Sequence, residues 1–231
     1  MKKNFAVEFW ILLTIGMITF GLSSCSDSDD DEEDESESTS SSVEESESTE
    51  EEDTGSINGY EYVNLGLSVK WATKNVGSKY SYSYGQFYMW GDIEVRTEFL
   101  DSDTWNVSLS DISGNSKYDA ARYEWGSTWR MPTLEEIQEL VDDCTWTWSK
   151  SSGIYGYLVT GPSGNSIFLP AGGYRTESTG DQTGEYGYYW SSTPGSTKQV
   201  ACRLDFSENH INAASSGSDR RLAHLIRPVS D

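Results

Sequence analysis

For residues 55–231 the sequence predicts an α+β domain of short antiparallel strands, one or two helices and long loops. Three observations carry this. Short apolar and aromatic runs alternate with clusters of Gly, Ser, Thr and Asn, the punctuation of strands joined by turns. Thr133 and Glu136 stand at capping-box spacing just after Pro132, ahead of Leu134, Ile137, Leu140, Val141 and Cys144 on one helical face. No period of about 20 to 50 residues recurs, which sets aside solenoids and propellers. The 177 residues left after the first 54 of 231 are enough to bury one core.

The N-terminal elements carry a different signal. Lys2 and Lys3 precede an apolar run from Phe9 to Leu22 that ends in Leu22-Ser23-Ser24-Cys25. The run falls short of the ~20 residues that cross a bilayer as a helix, so residues 1–24 read as a signal peptide. Leu22 to Cys25 resembles the bacterial lipobox, in which the cysteine thiol accepts diacylglycerol, and Cys25 is the expected lipidation site and first residue of the mature chain. Two or three acyl chains anchor stably, at roughly 0.8 kcal/mol per buried methylene.

Residues 25–54 form the expected tether. From Ser26 to Thr54 there are sixteen Asp or Glu, no Lys or Arg, and a single aliphatic residue, Val43. Such a segment lacks the apolar surface to offset chain entropy, and its like charges repel, so the sequence predicts an extended, disordered spacer. Its 29 residues reach on the order of 100 Å at full extension. The acidic run directly after the cysteine resembles the surface-export signal of Bacteroidetes lipoproteins, which implies the outer face of the outer membrane; a periplasm-facing lipoprotein with a solvated linker is the alternative. The tether also dominates the whole-chain charge of −22. From Gly55 onward 21 acidic and 14 basic residues leave −7, and neither region carries a basic stripe, so nucleic acid is not an expected partner.

Within the domain the candidate strands are Ser68–Thr73, Tyr155–Thr160, Ser166–Leu169, Tyr188–Ser192, Gln199–Phe206 and His224–Val229. Gly161-Pro162-Ser163-Gly164-Asn165 between the second and third is hairpin chemistry. A helix is predicted after Thr133, its apolar face on a sheet. A second is predicted over Asp119–Trp125, stopped by Gly126.

A set of short motifs then recurs in a familiar order. Trp71-Ala72-Thr73 is followed by Asn75-Val76-Gly77, Tyr84-Gly85 by Met89-Trp90-Gly91, and Asp119-Ala120-Ala121 by Trp129-Arg130-Met131-Pro132-Thr133. Further on stand Ile167-Phe168-Leu169-Pro170-Ala171, Gly173-Tyr174-Arg175, Tyr189-Trp190-Ser191-Ser192 and Arg227-Pro228-Val229. Over Tyr60 to Val229 this resembles the Fibrobacter succinogenes major paralogous domain family, abundant in lipoproteins of gut Bacteroidetes. The resemblance implies a C-type-lectin-like domain related to the formylglycine-generating-enzyme superfamily. Ala223-His224-Leu225-Ile226 departs from the Gly-rich approach to Arg-Pro-Val that is common in the family.

The side chains do not spell a reaction. Formylglycine-generating enzymes use paired, copper-binding cysteines, whereas here only Cys144 and Cys202 remain besides Cys25; both are expected to face a core, as free thiols or, as the alternative in an oxidising compartment, joined in one disulfide. His210 and His224 have no metal-ligand spacing partner, and no nucleophile elbow or EF-hand loop is present. No catalytic residue, metal or cofactor is therefore assigned. Trp71, Trp90, Trp129 and Trp190 are expected in the core, with Arg130, Arg175 and Arg227 bridging loops. Tyr82, Tyr84, Trp105, Trp146 and Trp148 are the candidate contact residues, because aromatic side chains on loops stack on sugar rings or anchor peptides. The expected function is a surface-anchored, non-catalytic lipoprotein domain that binds a glycan or a protein. An enzyme related to the formylglycine-generating superfamily and a structural or fimbria-associated surface component are the alternatives.

Overall fold

The first and last strands of the domain lie in one sheet. A computed structural model describes residues 53–96, 106–176 and 180–231. In it β1 (Thr54–Ile57) pairs antiparallel with β2 (Tyr60–Val63), β2 with β3 (Lys70–Ala72), and β3 with the C-terminal β12 (Val229–Ser230). Asn58 and Gly59 turn the β1–β2 hairpin with φ of 50° and 81°, the left-handed pair that matches strand twist in a two-residue turn. Thr54, assigned to the tether by its acidic neighbours, is the first residue of β1, and the Asp53 carbonyl accepts from Asn64 N–H.

Two three-stranded meanders supply most of the remaining structure. β4 (Thr145–Ser151), β5 (Ile154–Thr160) and β6 (Ser166–Pro170) form one; β9 (Tyr186–Pro194), β10 (Val200–Ser207) and β11 (His210–Asp219) form the other. A two-stranded ribbon of β7 (Tyr174–Arg175) and β8 (Gly180–Asp181) lies between them in sequence. The predicted strands over 155–160, 166–169, 188–192 and 199–206 match β5, β6, β9 and β10 to within two residues. β4 and β11 are elements the sequence reading left out.

Two predicted strands change. Ser68–Thr73 shortens to β3, and His224–Val229 dissolves into single bridges at His224 and Leu225 before β12 begins at Val229. Pro228 has no N–H to give a ladder, and Arg227 turns its guanidinium inward. There Nε donates to Asn75 Oδ1 at 2.8 Å, Nη1 to the Ala72 carbonyl at 2.9 Å and Nη2 to the Phe168 carbonyl at 2.8 Å. One buried fork thus ties the β3 end, its following loop and β6 together. β10 does not alternate strictly: a bulge at Ala201–Arg203 buries both Ala201 and Cys202.

Both helices form as their caps dictate. α1 (Ala120–Trp125) starts on Asp119, whose buried carboxylate accepts from the N–H groups of Gly114, Arg122 and Met131, and ends at Gly126. α2 (Leu134–Asp143) carries a complete capping box between Thr133 and Glu136. It lays Ile137 and Leu140 into the main core, against the β9–β11 sheet. Among the described residues no helix is long and apolar enough to cross a membrane.

Trp71, Trp90, Trp129 and Trp190 are all buried. Trp90 Nε1 donates to the Ser191 carbonyl, Trp190 Nε1 to the Tyr88 carbonyl and Trp129 Nε1 to the Ile57 carbonyl, each at 2.8 Å. The ring nitrogens of these three are satisfied, whereas the buried Trp71 Nε1 has no hydrogen-bond partner among the described residues; burial makes all four core residues rather than contact residues. Arg130 holds Glu136 and Asp231 at 2.6 and 2.5 Å, which bridges α2 to the C-terminus. Arg175 donates to the Gly172 and Tyr174 carbonyls and stacks on Phe87.

Candidate functional site

β4 reads Thr-Trp-Thr-Trp-Ser-Lys-Ser, a strict period of two that sends Trp146, Trp148 and Lys150 to one face. The register pairs Trp146 with Val159, Trp148 with Tyr157 and Lys150 with Tyr155, so these side chains share that face. It grades from core to solvent. Val159 and Tyr157 are buried, Trp146 and Trp148 are half-buried, and Tyr155 is 45% exposed at the hairpin tip. Phe206 of β10 meets this face edge-on, with ring centroids 5.4 Å from Tyr157 and 6.5 Å from Trp148.

The outer end of the face opens on a cleft of about 440 Å³. Trp148 and Tyr155 form one wall as a parallel pair, 6.2 Å between centroids and 7° between planes. Glu185 and Tyr186 at the start of β9, and Glu208 and Asn209 in the β10–β11 turn, form the others. Tyr186 is stacked parallel on Tyr188 at 6.0 Å. The β10–β11 turn is held from beneath, since Tyr157 Oη donates towards the Ser207 and Glu208 carbonyls at 3.0 and 2.9 Å. Burial, and then the Glu208 charge, push the Tyr157 phenol above its ordinary pKa, so it remains a donor at any physiological pH. Lys150 sits over the Tyr155 ring at 4.6 Å. Flat aromatic faces beside carboxylates and an amide suit a ligand with an apolar ring face and hydroxyl donors.

The structure brings only part of the predicted contact set to this cleft. Trp148 lines it. Trp146 lies deeper on the same face, packed on Tyr157 and Phe206, with Nε1 donating to the Leu140 carbonyl at 3.1 Å. Tyr82 is half-buried elsewhere and stacks on Tyr80 at 5.3 Å. Tyr84 packs against the main core, and burial, opposed by Arg175, raises its pKa. Trp105 and Cys25 lie outside the described residues. Sequence reasoning missed Tyr155, Tyr186, Glu185, Glu208 and Asn209. The alternation in residues 145–151 was the available signal for the first of these, because it implies a hairpin with the strand that follows. The others depend on tertiary packing.

Cys144 and Cys202 are free. Burial, then the Asp143 and Glu139 charges, push the Cys144 thiol up to about 11, and burial raises Cys202 as well. Among the described residues no group of three His, Cys, Asp or Glu is placed to hold a metal ion.

Fold and cleft together define an α+β domain, mostly β, that presents an open aromatic-walled groove between a hairpin tip and a turn. The chain belongs to the DUF8237 family, a domain of unknown function, whose profile matches residues 20–229. No curated protein and no solved structure matches it.

Proposed function

We propose that this is a surface-anchored, non-catalytic lipoprotein whose lectin-like domain binds a glycan in the Trp148–Tyr155 cleft. The carrying observation is the parallel Trp148–Tyr155 pair opening on a cleft edged by Glu185, Glu208 and Asn209. A pyranose ring places its C–H face on such a platform, and its hydroxyls donate to carboxylate and amide oxygens at the rim. The protonated thiols and the fully buried His224 favour binding over catalysis. The motif resemblance to lectin-like lipoproteins points the same way.

The test is a glycan array probed with the full-length chain, followed by calorimetric titration of any hit. Trp148→Ala is expected to weaken binding by about 2 kcal/mol, near thirtyfold in Kd, as truncation of a central tryptophan does. Trp148→Phe keeps a ring and should fall between. Equal affinity of all three chains, with unfolding temperatures unchanged, would remove the cleft from the reading. Capture of a protein and of no glycan would reassign the ligand class.

A further inference from the structure

A second cleft lies apart from the aromatic groove, and its chemistry is different. It encloses about 520 Å³ beside the β2–β3 sheet, the loop that follows β3, and the β5–β6 strands, within the roughly 300–1,000 Å³ typical of small-ligand sites. Its floor is apolar, made of Leu158 and Phe168, which pair across β5 and β6 on the face turned away from the main core, with Leu158 40% exposed. Hydroxyls of Thr73, Ser81 and Ser166 stand around it. The loop that carries its rim is stiffened by Ser78 Oγ, which donates to the Tyr80 carbonyl at 2.6 Å, and by Ser83 N–H to the same oxygen at 3.1 Å.

The charge at this rim runs against the rest of the domain. Lys74 and Lys79 both line the cleft. Each ammonium lies over a tyrosine ring, Lys74 at 5.6 Å from the Tyr60 centroid and Lys79 at 5.1 Å from that of Tyr80. Among the described residues neither ammonium is ion-paired with a carboxylate. The single acid of the cleft, Glu61, lies near the Thr73 hydroxyl at 3.5 Å. Two unpaired cations against one carboxylate, in a domain of net charge −7 (14 basic against 21 acidic residues), leave room for one negative charge and disfavour a polyanion.

We infer that this second cleft captures a peptide C-terminus that ends in an apolar residue, its carboxylate held by Lys74 and Lys79 and its side chain on Leu158 and Phe168. A polypeptide end supplies one carboxylate adjacent to one aliphatic group, and its amide can use the hydroxyls of the wall. A sugar acid fits less well, because its ring hydroxyls would lie on an aliphatic floor without partners. The inference stands independently of the glycan reading, since the two clefts share no lining residue.

The probe is acetyl-Gly-Ala-Leu with a free C-terminus, titrated calorimetrically into the full-length chain, with its C-terminal amide as the control. Saturable binding of the acid, loss with the amide, and affinity about tenfold weaker in Lys74→Gln/Lys79→Gln are expected. Lys79 is exposed, and Lys74 is half-buried with no carboxylate partner among the described residues, so that variant should retain the parent's unfolding temperature. Equal binding of acid and amide, undiminished affinity in the lysine variant, or no saturable binding of the acid would each overturn the assignment. A matching affinity for hexanoate alone would overturn it too, because the amide contacts would then contribute nothing.

Discussion

At the scale of single residues, His224 shows how placement overrides composition. By sequence it was one of two isolated histidines with no partner. In the fold it is fully buried, 4.2 Å from the Trp190 ring and 5.3 Å from Tyr188, with Tyr174 edge-on and Nε2 at 3.2 Å from Ser218 Oγ. Burial, and then the charge of Arg203, lower its pKa well below 6.5, so it is neutral in the folded chain and protonates more readily when unfolded. The unfolded state therefore binds more protons below pH 6.5. The stability that neutral His224 contributes is full above that pH and is lost as pH falls towards its folded pKa, with a limiting slope of about 1.4 kcal/mol per pH unit. Urea denaturation of the full-length chain at pH 7.5, 6 and 5, repeated on His224→Gln, is the check. The parent should lose stability more steeply with acid than the variant does. Parallel curves would mean that His224 contributes no acid sensitivity.

At the scale of elements, the β9–β10 pairing links stability to the glycan cleft. Gly187 is paired with Phe206 across the sheet, and a Cβ at Gly187 would stand 2.0 Å from the Phe206 ring. That ring packs on Trp148 and Tyr157. Gly187→Ala is thus expected to cost about 1–3 kcal/mol through overpacking. It should also weaken any ligand held by Trp148, because Phe206 must shift. Denaturation of Gly187→Ala, Phe206→Leu and the double variant tests the coupling. A less than additive loss is the expected outcome, and strict additivity would mean that the two sites do not meet. Gly187 stands in the sequence as strand punctuation, and its reason is visible only once Phe206 is opposite it. The same distinction governs what was legible beforehand. α2 could be read because Thr133 and Glu136 act locally, and β5, β6, β9 and β10 because their apolar runs are bounded by turns. β11, His-Ile-Asn-Ala-Ala-Ser-Ser-Gly-Ser-Asp, has little apolar patterning and exists because β10 offers it a ladder. Loop aromatics are what composition and turn patterning single out as contact residues. Trp148 reaches a cleft as a strand residue at a hairpin tip, whereas Tyr84 packs against the main core.

At the scale of the whole molecule, the proposed function depends on where the domain is held, and that rests on Cys25 and the acidic residues behind it. If Cys25 carries the acyl chains, the full-length chain made in a bacterial host should enter the detergent-rich phase on phase separation, because two or three chains anchor stably where one does not. Cys25→Ser should move it to the aqueous phase. The domain has its own core, built from β1 to β12 and closed by pairing of β3 with the C-terminal β12. Its unfolding temperature should accordingly be the same in both chains, as should the Trp148-dependent glycan affinity in solution. On intact cells the outcomes should diverge: protease added outside should remove the domain from cells bearing the wild-type chain, while Cys25→Ser leaves no cell-surface domain to digest. Wild-type chain in the aqueous phase would refute lipid anchoring. A membrane-bound but protease-protected domain would keep the anchor and put the domain on the periplasmic side, where the glycan it meets would be the cell's own rather than one presented from outside.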